Sequence, residues 1–312
     1  MQPRRNDYDI TNRIQTTDPK SVKDEIIRLF RLLYPGAGHS AVSRAFADID
    51  MLYSGDYPGY RACDTGYHDL QHVMDVTLAM ARLMDGYERS RGDTPAFGMR
   101  LFQLGIIAAL FHDMGYLRKT DDVVAPNGAF YTMNHVSRGA EFLRQYLLTL
   151  GESDYAEAGA ELIHFTGFEK RVAEILIEDP VLRLLGSLLG SADIIAQMSD
   201  RCYLEKCRDR LYPEFVAGGI AEKRDIAGNR EIVYSSGEDL VYKTPVFFET
   251  AVERLESDLG GAYNYVATHF GGINLYIHAA SKNVGFASQI GANMNSALRR
   301  TPPELTTANH AG

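Results

Sequence analysis

Tryptophan is absent, cysteine occurs three times, and cations are in the minority, with 32 Lys and Arg against 41 Asp and Glu in 312 residues. The resulting formal net charge of −9 excludes a surface built to wrap a nucleic-acid polymer or to lie on an anionic membrane, because both need clustered excess cation. Cys63, Cys202 and Cys207 cannot all pair, none belongs to a CxxC unit, and Cys202 and Cys207 lack a second pair to complete a zinc cage. They read as small packing residues in a reducing compartment. No long hydrophobic run is present: Ile106 to Phe111 is the longest, far too short to span a bilayer. The opening MQPRRNDYDITNRIQTTDPK has no apolar segment, so no secretory signal is expected and a cytoplasmic location is.

What remains is an ordinary globular composition, 45% hydrophobic and 23% charged, which is neither disordered nor fibrous. A chain of this size buries about three quarters of its unfolded surface without disulfides. Residues 1–20 are polar and aperiodic and read as a flexible arm. From Val22 the spacing predicts a helix through Ile26, Leu29, Phe30 and Leu33, stopped by Pro35-Gly36, and a second through Val42, Phe46, Ile49 and Leu52. These two either pack inward or pair subunits as a homodimer. Helical patterns recur near 69–90, 97–116, 134–150, 153–165, 179–200, 245–258 and 283–299, separated by Gly, Pro and Asp clusters. One short hairpin is predicted from Ile232-Val233-Tyr234 and Leu240-Val241-Tyr242. The expected architecture is all-α: one helical domain over 21–300, a β-hairpin insertion near 218–243, and a flexible tail over 301–312.

The chemistry lies in where the histidines fall. His68 and His72 are four apart, which places both on one helical face with about 5–6 Å between their Cβ atoms. Taken alone, that pair reads as surface or capping histidines. His112-Asp113 ends LGIIAALFHDMG, the most apolar stretch of the chain, where an unpartnered carboxylate would be too costly. His135 opens one helical pattern, His164 closes another, and Asp193 lies inside the apolar LLGSLLGSADIIAQM. Five helices therefore each offer one or two ligand-type side chains, and inward ligands on facing helices are how bundles build metal sites. His39, His269, His278 and His310 fall outside this pattern and read as loop, core or tail residues.

Tyr67-His68-Asp69-Leu70-Gln71-His72-Val73-Met74-Asp75-Val76 resembles the YHNxxHAxDV signature of the class I cyclic-nucleotide phosphodiesterases. Ala108-Ala109-Leu110-Phe111-His112-Asp113 resembles the His-Asp signature of the wider HD phosphohydrolase superfamily. Asn134-His135 with Gly139-Ala140-Glu141-Phe142-Leu143 is similar to the next helix of that family, and Ser191-Ala192-Asp193-Ile194-Ile195 to its closing metal-binding segment. The matches run in family order over residues 67–195, the expected metal core.

That resemblance implies an HD-type, phosphodiesterase-like helical bundle holding two divalent ions, drawn from Zn, Mn, Fe and Mg. It implies His72, His112, Asp113 and Asp193 as ligands of one ion, with Asp113 bridging to a second that is held either by His135 and His164, as in some HD proteins, or mainly by water, as in the phosphodiesterases. It also implies His68 as the acid that protonates the leaving alcohol. The chain departs from the family at Asp69, which replaces Asn, and at Tyr116, which stands where the phosphodiesterases carry a further His. Lys282-Asn283-Val284-Gly285-Phe286 resembles a substrate-reading element, which would make Asn283 and Phe286 substrate contacts; a plain core helix over 283–299 reads equally well. Tyr60, Tyr67 and Tyr116 are candidates to line a substrate cleft, with packing as the plainer reading.

The expected function is hydrolysis of a phosphodiester in a small nucleotide, first a 3′,5′-cyclic nucleotide, by a hydroxide bridging the two ions, with His68 as general acid. Asp113 then serves both as ligand and as catalytic residue, and the partner that keeps His68 protonated is expected to be Asp69 or Glu141. Two alternatives stand beside it. One is an HD-fold di-iron oxygenase, which uses the same six-ligand series; the other is a nucleotide-binding sensor without turnover.

Overall fold

The helices begin where aspartate and proline say they should. Asp18 accepts from the backbone N–H groups of Lys20 and Ser21 while Pro19 fills the first helical position, which starts α1 (Pro19–Leu33). The same Asp-Pro device, Asp179-Pro180, starts α7 (Pro180–Ser199). The computed structural model describes residues 4–94, 96–224, 229–290 and 297–305. Between those two helices lie α2 (Ser40–Ser54), α3 (Leu70–Ser90), α4 (Gly98–Phe111), α5 (His135–Thr149) and α6 (Ala156–Ile163). Beyond α7, a run of α8 (Tyr203–Lys206), a π-helical turn (Cys207–Leu211) and α9 (Tyr212–Ala217) leads to two short strands. After the strands come α10 (Gly237–Tyr242), α11 (Thr244–Glu253), a second π turn (Arg254–Asp258), α12 (Tyr265–His269) and α13 (Leu275–Ile290).

The protein is mostly helical, and α3 is its axis. This helix packs against α1, α4, α7 and α12, and its residues are buried almost all round, polar ones such as Gln71, Arg82 and Asp85 included. Gly86 is required there: a Cβ at that position would lie 1.9 Å from the carbonyl oxygen of Tyr265, so only glycine lets α12 approach. Val22, Ile26, Phe30, Phe46, Ile49 and Leu52 face inward into this core. Of the described helices, α7 alone is long and apolar enough to cross a membrane, and most of it is buried inside the bundle.

Three expectations need correction. The strands are β1 (Glu222–Arg224) and β2 (Arg230–Ile232), paired antiparallel with Glu222 opposite Ile232. They fall within the expected insertion but share only Ile232 with the expected strands, and the second expected strand is helical because Ser236 accepts from Asp239 N at 3.1 Å and starts α10 there. Ser-Ser-Gly-Glu-Asp is thus a helix cap with an acidic first turn, not a hairpin loop. The N-terminal segment is no loose arm from residue 4 onward. Asp9 is buried against Arg82 of α3, with Oδ2 2.5 Å from Nη2, and Arg4 donates to the Ser199 carbonyl at 2.7 Å. The start of the tail is also held, since Asn6 donates to the Thr301 carbonyl at 2.9 Å and Arg210 to that of Pro303; residues 306–312 lie outside the described residues, as do 291–296 of the helix expected over 283–299.

Candidate metal centre and active-site cavity

Two helix ends and one helix middle bring the first ligands together. Asp69 caps α3, accepting from His72 N at 2.9 Å, and is itself held by Arg210 at 3.2 Å. This fixes the α3 entry, and His72 sits in its first turn. His112 terminates α4, and its Nδ1 meets the Ala109 carbonyl at 2.8 Å. That carbonyl takes the Nδ1 proton and leaves Nε2 free as a ligand, the arrangement metal-binding imidazoles commonly have. Asp193 comes from the middle of α7.

The free atoms converge. His72 Nε2 lies 3.4 Å from His112 Nε2, 3.3 Å from Asp113 Oδ2 and 3.4 Å from Asp193 Oδ1. His112 Nε2 lies 3.1 Å from Asp113 Oδ2 and 4.0 Å from Asp193 Oδ1. Ligand atoms about 2.0–2.2 Å from one ion stand roughly 3–3.5 Å apart, so His72, His112 and Asp113 fit a single cation, and Asp193 approaches the same point. Asp113 Oδ2 is buried without a geometrically sound hydrogen bond, although two imidazole nitrogens stand within 3.3 Å of it. A buried, unsatisfied carboxylate oxygen is costly, and a cation at that point would satisfy it.

Electrostatics in the cluster follow from the same closeness. Burial alone would lower the His72 imidazole, but Asp113 and Asp193 raise it to about 10. Burial would raise Asp113, yet His112 and His72 hold it well below the usual carboxylate range. Asp113 and Asp193 thus hold a proton on His72, and a metal ion would bind by displacing that proton and taking over its charge between the two carboxylates.

No family model, curated protein or solved structure matches this chain. The site's chemistry is therefore read from its own atoms.

His135, first residue of α5, extends the cluster. Its Nδ1 meets the Thr132 carbonyl at 2.8 Å, and its Nε2 lies 3.9 Å from Asp113 Oδ1, the oxygen turned away from the first cluster. Gly115 permits this approach, since a Cβ there would stand 1.7 Å from the His135 carbonyl oxygen. Burial lowers the His135 pKa, so the imidazole is neutral and able to ligate. His164 is different. It is buried at the end of α6, its Nδ1 has no hydrogen-bond partner, and it is not among the residues lining the cavity above the cluster.

That cavity, about 460 Å³, has His68, His72, Asp113, His135 and Asp193 at its base, a size suited to a small ligand. Its walls are largely aromatic and aliphatic, including Tyr203, Phe215, Leu240 and Phe247. His68 stands beside the candidate metal cluster without joining it. Its Nδ1 lies 2.5 Å from Oε2 of Glu214, while Oε1 of the same carboxylate accepts from Tyr67 N at 2.5 Å. Burial would lower the His68 pKa, and the Glu214 charge outweighs it, so the pKa is raised. Tyr116 lies between two imidazoles, stacked on His68 at 4.2 Å and on His135 at 4.4 Å between ring centroids.

Glu214 was invisible to sequence reasoning. It lies 146 residues from His68 in the chain, on a short helix whose apolar neighbours give no sign of a site. The expected partners do other work: Asp69 caps α3, and Glu141 pairs with Arg144 on the surface. Tyr67 lines the cavity as expected, but Asn283 and Phe286 do not. Asn283 is buried and donates to the carbonyls of Met198 at 2.9 Å and Asp200 at 2.8 Å, tying α13 to the end of α7; Phe286 is half exposed on α13. Asn283 is therefore structural, and Phe286 lies away from the cavity. The three thiols are pushed up to about 12, chiefly by burial, so at neutral pH none is a thiolate nucleophile.

Proposed function

We propose that this protein is a metal-dependent hydrolase of the HD superfamily that cleaves a phosphodiester in a small nucleotide, first a 3′,5′-cyclic nucleotide. The observation that carries the reading is the pairing of a cation-ready cluster with an unligated, carboxylate-backed imidazole in one cavity. His72, His112, Asp113 and Asp193 would hold one divalent ion, and Asp113 with His135 would contribute to a second. Such ions, when bound, neutralise charge on phosphoryl oxygens and lower the pKa of a coordinated water. Zn, Mn, Fe and Mg all remain compatible with a mixed imidazole and carboxylate set.

The chain's own residues divide the remaining work. Phosphoester cleavage leaves an alkoxide that must be protonated, and His68, with Nδ1 engaged by Glu214, offers its Nε2 proton at the cavity base. Glu214 favours the charged form of that imidazole and fixes its ring. Tyr116 covers one face of the ring and Tyr67 meets it edge-on, which together limit water. A protein net charge of −9 does not oppose this, because the charge of a metal site includes its ions.

An oxygenase reading needs His164 as its sixth ligand and gives His68 no task, and His164 lies off the cavity. The deciding measurement is turnover by protein loaded in turn with Zn, Mn, Fe and Mg. Cyclic nucleotides, linear dinucleotides, mononucleotides and bis(p-nitrophenyl) phosphate form the panel. Hydrolysis of one or more is expected, and inactivity on all of them in every metal would sink the proposal.

A further inference from the structure

The cavity wall contains few polar groups, and most are already engaged. The hydroxyls of Thr132, Thr166 and Thr244 donate to the carbonyls of Ala129 at 2.7 Å, Ile163 at 2.8 Å and Leu240 at 3.4 Å. Lys243 is held by the Val233 carbonyl at 2.7 Å and Asp239 at 2.9 Å. The Tyr203 hydroxyl bonds to Cys207. Gln197 stands apart. It is half-buried on α7 and lines the cavity, its Oε1 accepts from the Tyr67 hydroxyl at 3.3 Å, and its Nε2 has no protein acceptor among the described residues.

Its position gives the free donor meaning. Gln197 follows Asp193 by one helical turn, so the two side chains share a face with about 5–6 Å between their Cβ atoms. The Tyr67 bond orients the amide, with the oxygen engaged and the N–H₂ left for a ligand. An amide that is fixed in this way discriminates by hydrogen bonding more sharply than an apolar wall can, because a ligand lacking the matching acceptor leaves it unsatisfied.

We propose that Gln197, oriented by Tyr67, is the specificity-determining donor of this cavity, selecting phosphoesters whose organic part carries a hydrogen-bond acceptor next to the phosphate-binding base. This inference rests on the phosphoester reading above. It favours a heteroaromatic or carbonyl-bearing group over a plain aryl or alkyl group, and gives a cavity of largely apolar walls a polar point of choice.

The test is equilibrium binding of the four common nucleoside 5′-monophosphates and of phenyl phosphate to the metal-loaded protein, with metal content measured in each sample. Wild type, Gln197→Ala, Gln197→Glu and Tyr67→Phe are compared. The wild type is expected to bind at least one mononucleotide more tightly than phenyl phosphate. Gln197→Ala and Gln197→Glu should each reduce that ratio by roughly three- to tenfold, the worth of one hydrogen bond. Tyr67→Phe, which frees the amide to rotate, should reduce it by less. Glutamate keeps the shape and the acceptor while losing the donor, so it separates donation from packing. A ratio unchanged in both Gln197 variants, or no preference in the wild type, overturns this inference alone. Failure of metal-loaded wild type to bind any of these phosphoesters overturns the phosphoester reading and this inference with it.

Discussion

His68 Nδ1 and Glu214 Oε2 stand 2.5 Å apart, joining the start of α3 to a short helix 146 residues later. Both groups are buried enough for the pair to be strong, with the Glu214 side chain only 5% exposed. The carboxylate also accepts from the backbone at Tyr67 and His68, so one residue orients both the ring and the loop that carries it.

A general acid is worth most when the leaving group is poor. On a proposed substrate with an alkoxide leaving group, His68→Ala is expected to lower kcat by about 10²–10⁴, and Glu214→Gln by a smaller factor. With bis(p-nitrophenyl) phosphate, whose leaving phenolate needs no proton, both losses should shrink to within about tenfold. Metal content should stay at the wild-type level in both variants, because neither residue touches the cluster. Equal losses on the two substrates would remove His68 from the acid role.

The candidate metal cluster makes a thermodynamic prediction independent of any substrate. Asp113 Oδ2 is buried and unsatisfied, so a cation that fills the cluster binds the folded state and not the unfolded one. A metal at about 100 times its Kd stabilises the fold by about 2.7 kcal/mol. Thermal melts should therefore rise with added metal and fall with chelator. His112→Ala, which deletes a ligand atom 3.1 Å from Asp113 Oδ2, should abolish the shift. A melting temperature indifferent to all four metals would count against the site.

His135 and His164 separate in a way the sequence could not anticipate. Both have burial-lowered pKa values, and so both are neutral ligands in principle. Only His135 has a nitrogen near Asp113, at 3.9 Å. For protein that binds two ions per chain, His135→Ala should reduce the stoichiometry towards one, read by elemental analysis. His164→Asn should leave it unchanged. The reverse result would mean that α6 moves when metal enters.

How much of this was legible follows from what kind of signal each residue leaves. The ligand atoms of His72, His112, Asp113 and Asp193 lie on or beside long apolar helices, so ligand-type residues stood out against an apolar background in the sequence. The helices themselves were readable from periodicity, whereas the Asp-Pro starts of α1 and α7 emerge only in the structure. Glu214 and Gln197 left no such trace: each acquires its role from a contact across the fold, with His68 and with Tyr67. Asn283 misled for the opposite reason, since its motif resembled a substrate reader while its amide is used to bond two carbonyls at the end of α7. The hairpin was misplaced because a Ser-rich cap and a turn use the same residue types, and the competition was decided by the Ser236 bond to Asp239.

The N-terminal segment carries the last prediction. Asp9 is buried and bonded to Arg82 Nη2 at 2.5 Å, to the backbone of Arg13 and Ile14, and to the Thr11 hydroxyl. Burial would raise its pKa, but the Arg82 charge and these bonds together lower it. A carboxyl with a depressed folded-state pKa stabilises the fold above its unfolded value of about 3.9, and that contribution is lost as pH falls from there through the folded value. Asp9→Ala leaves the Arg82 guanidinium buried with the Tyr276 hydroxyl as a neutral partner, and breaking such a pair costs about 3–5 kcal/mol. Urea titrations at pH 7 should show a loss of that order. Repeated at stepwise lower pH, the gap between wild type and Asp9→Ala should narrow below about pH 4, since the wild type then loses what the variant already lacks. A gap that stays constant down to pH 2 would show that Asp9 stabilises by packing and not by charge, and one near zero at pH 7 would return residues 4–18 to the loose arm that their composition suggested.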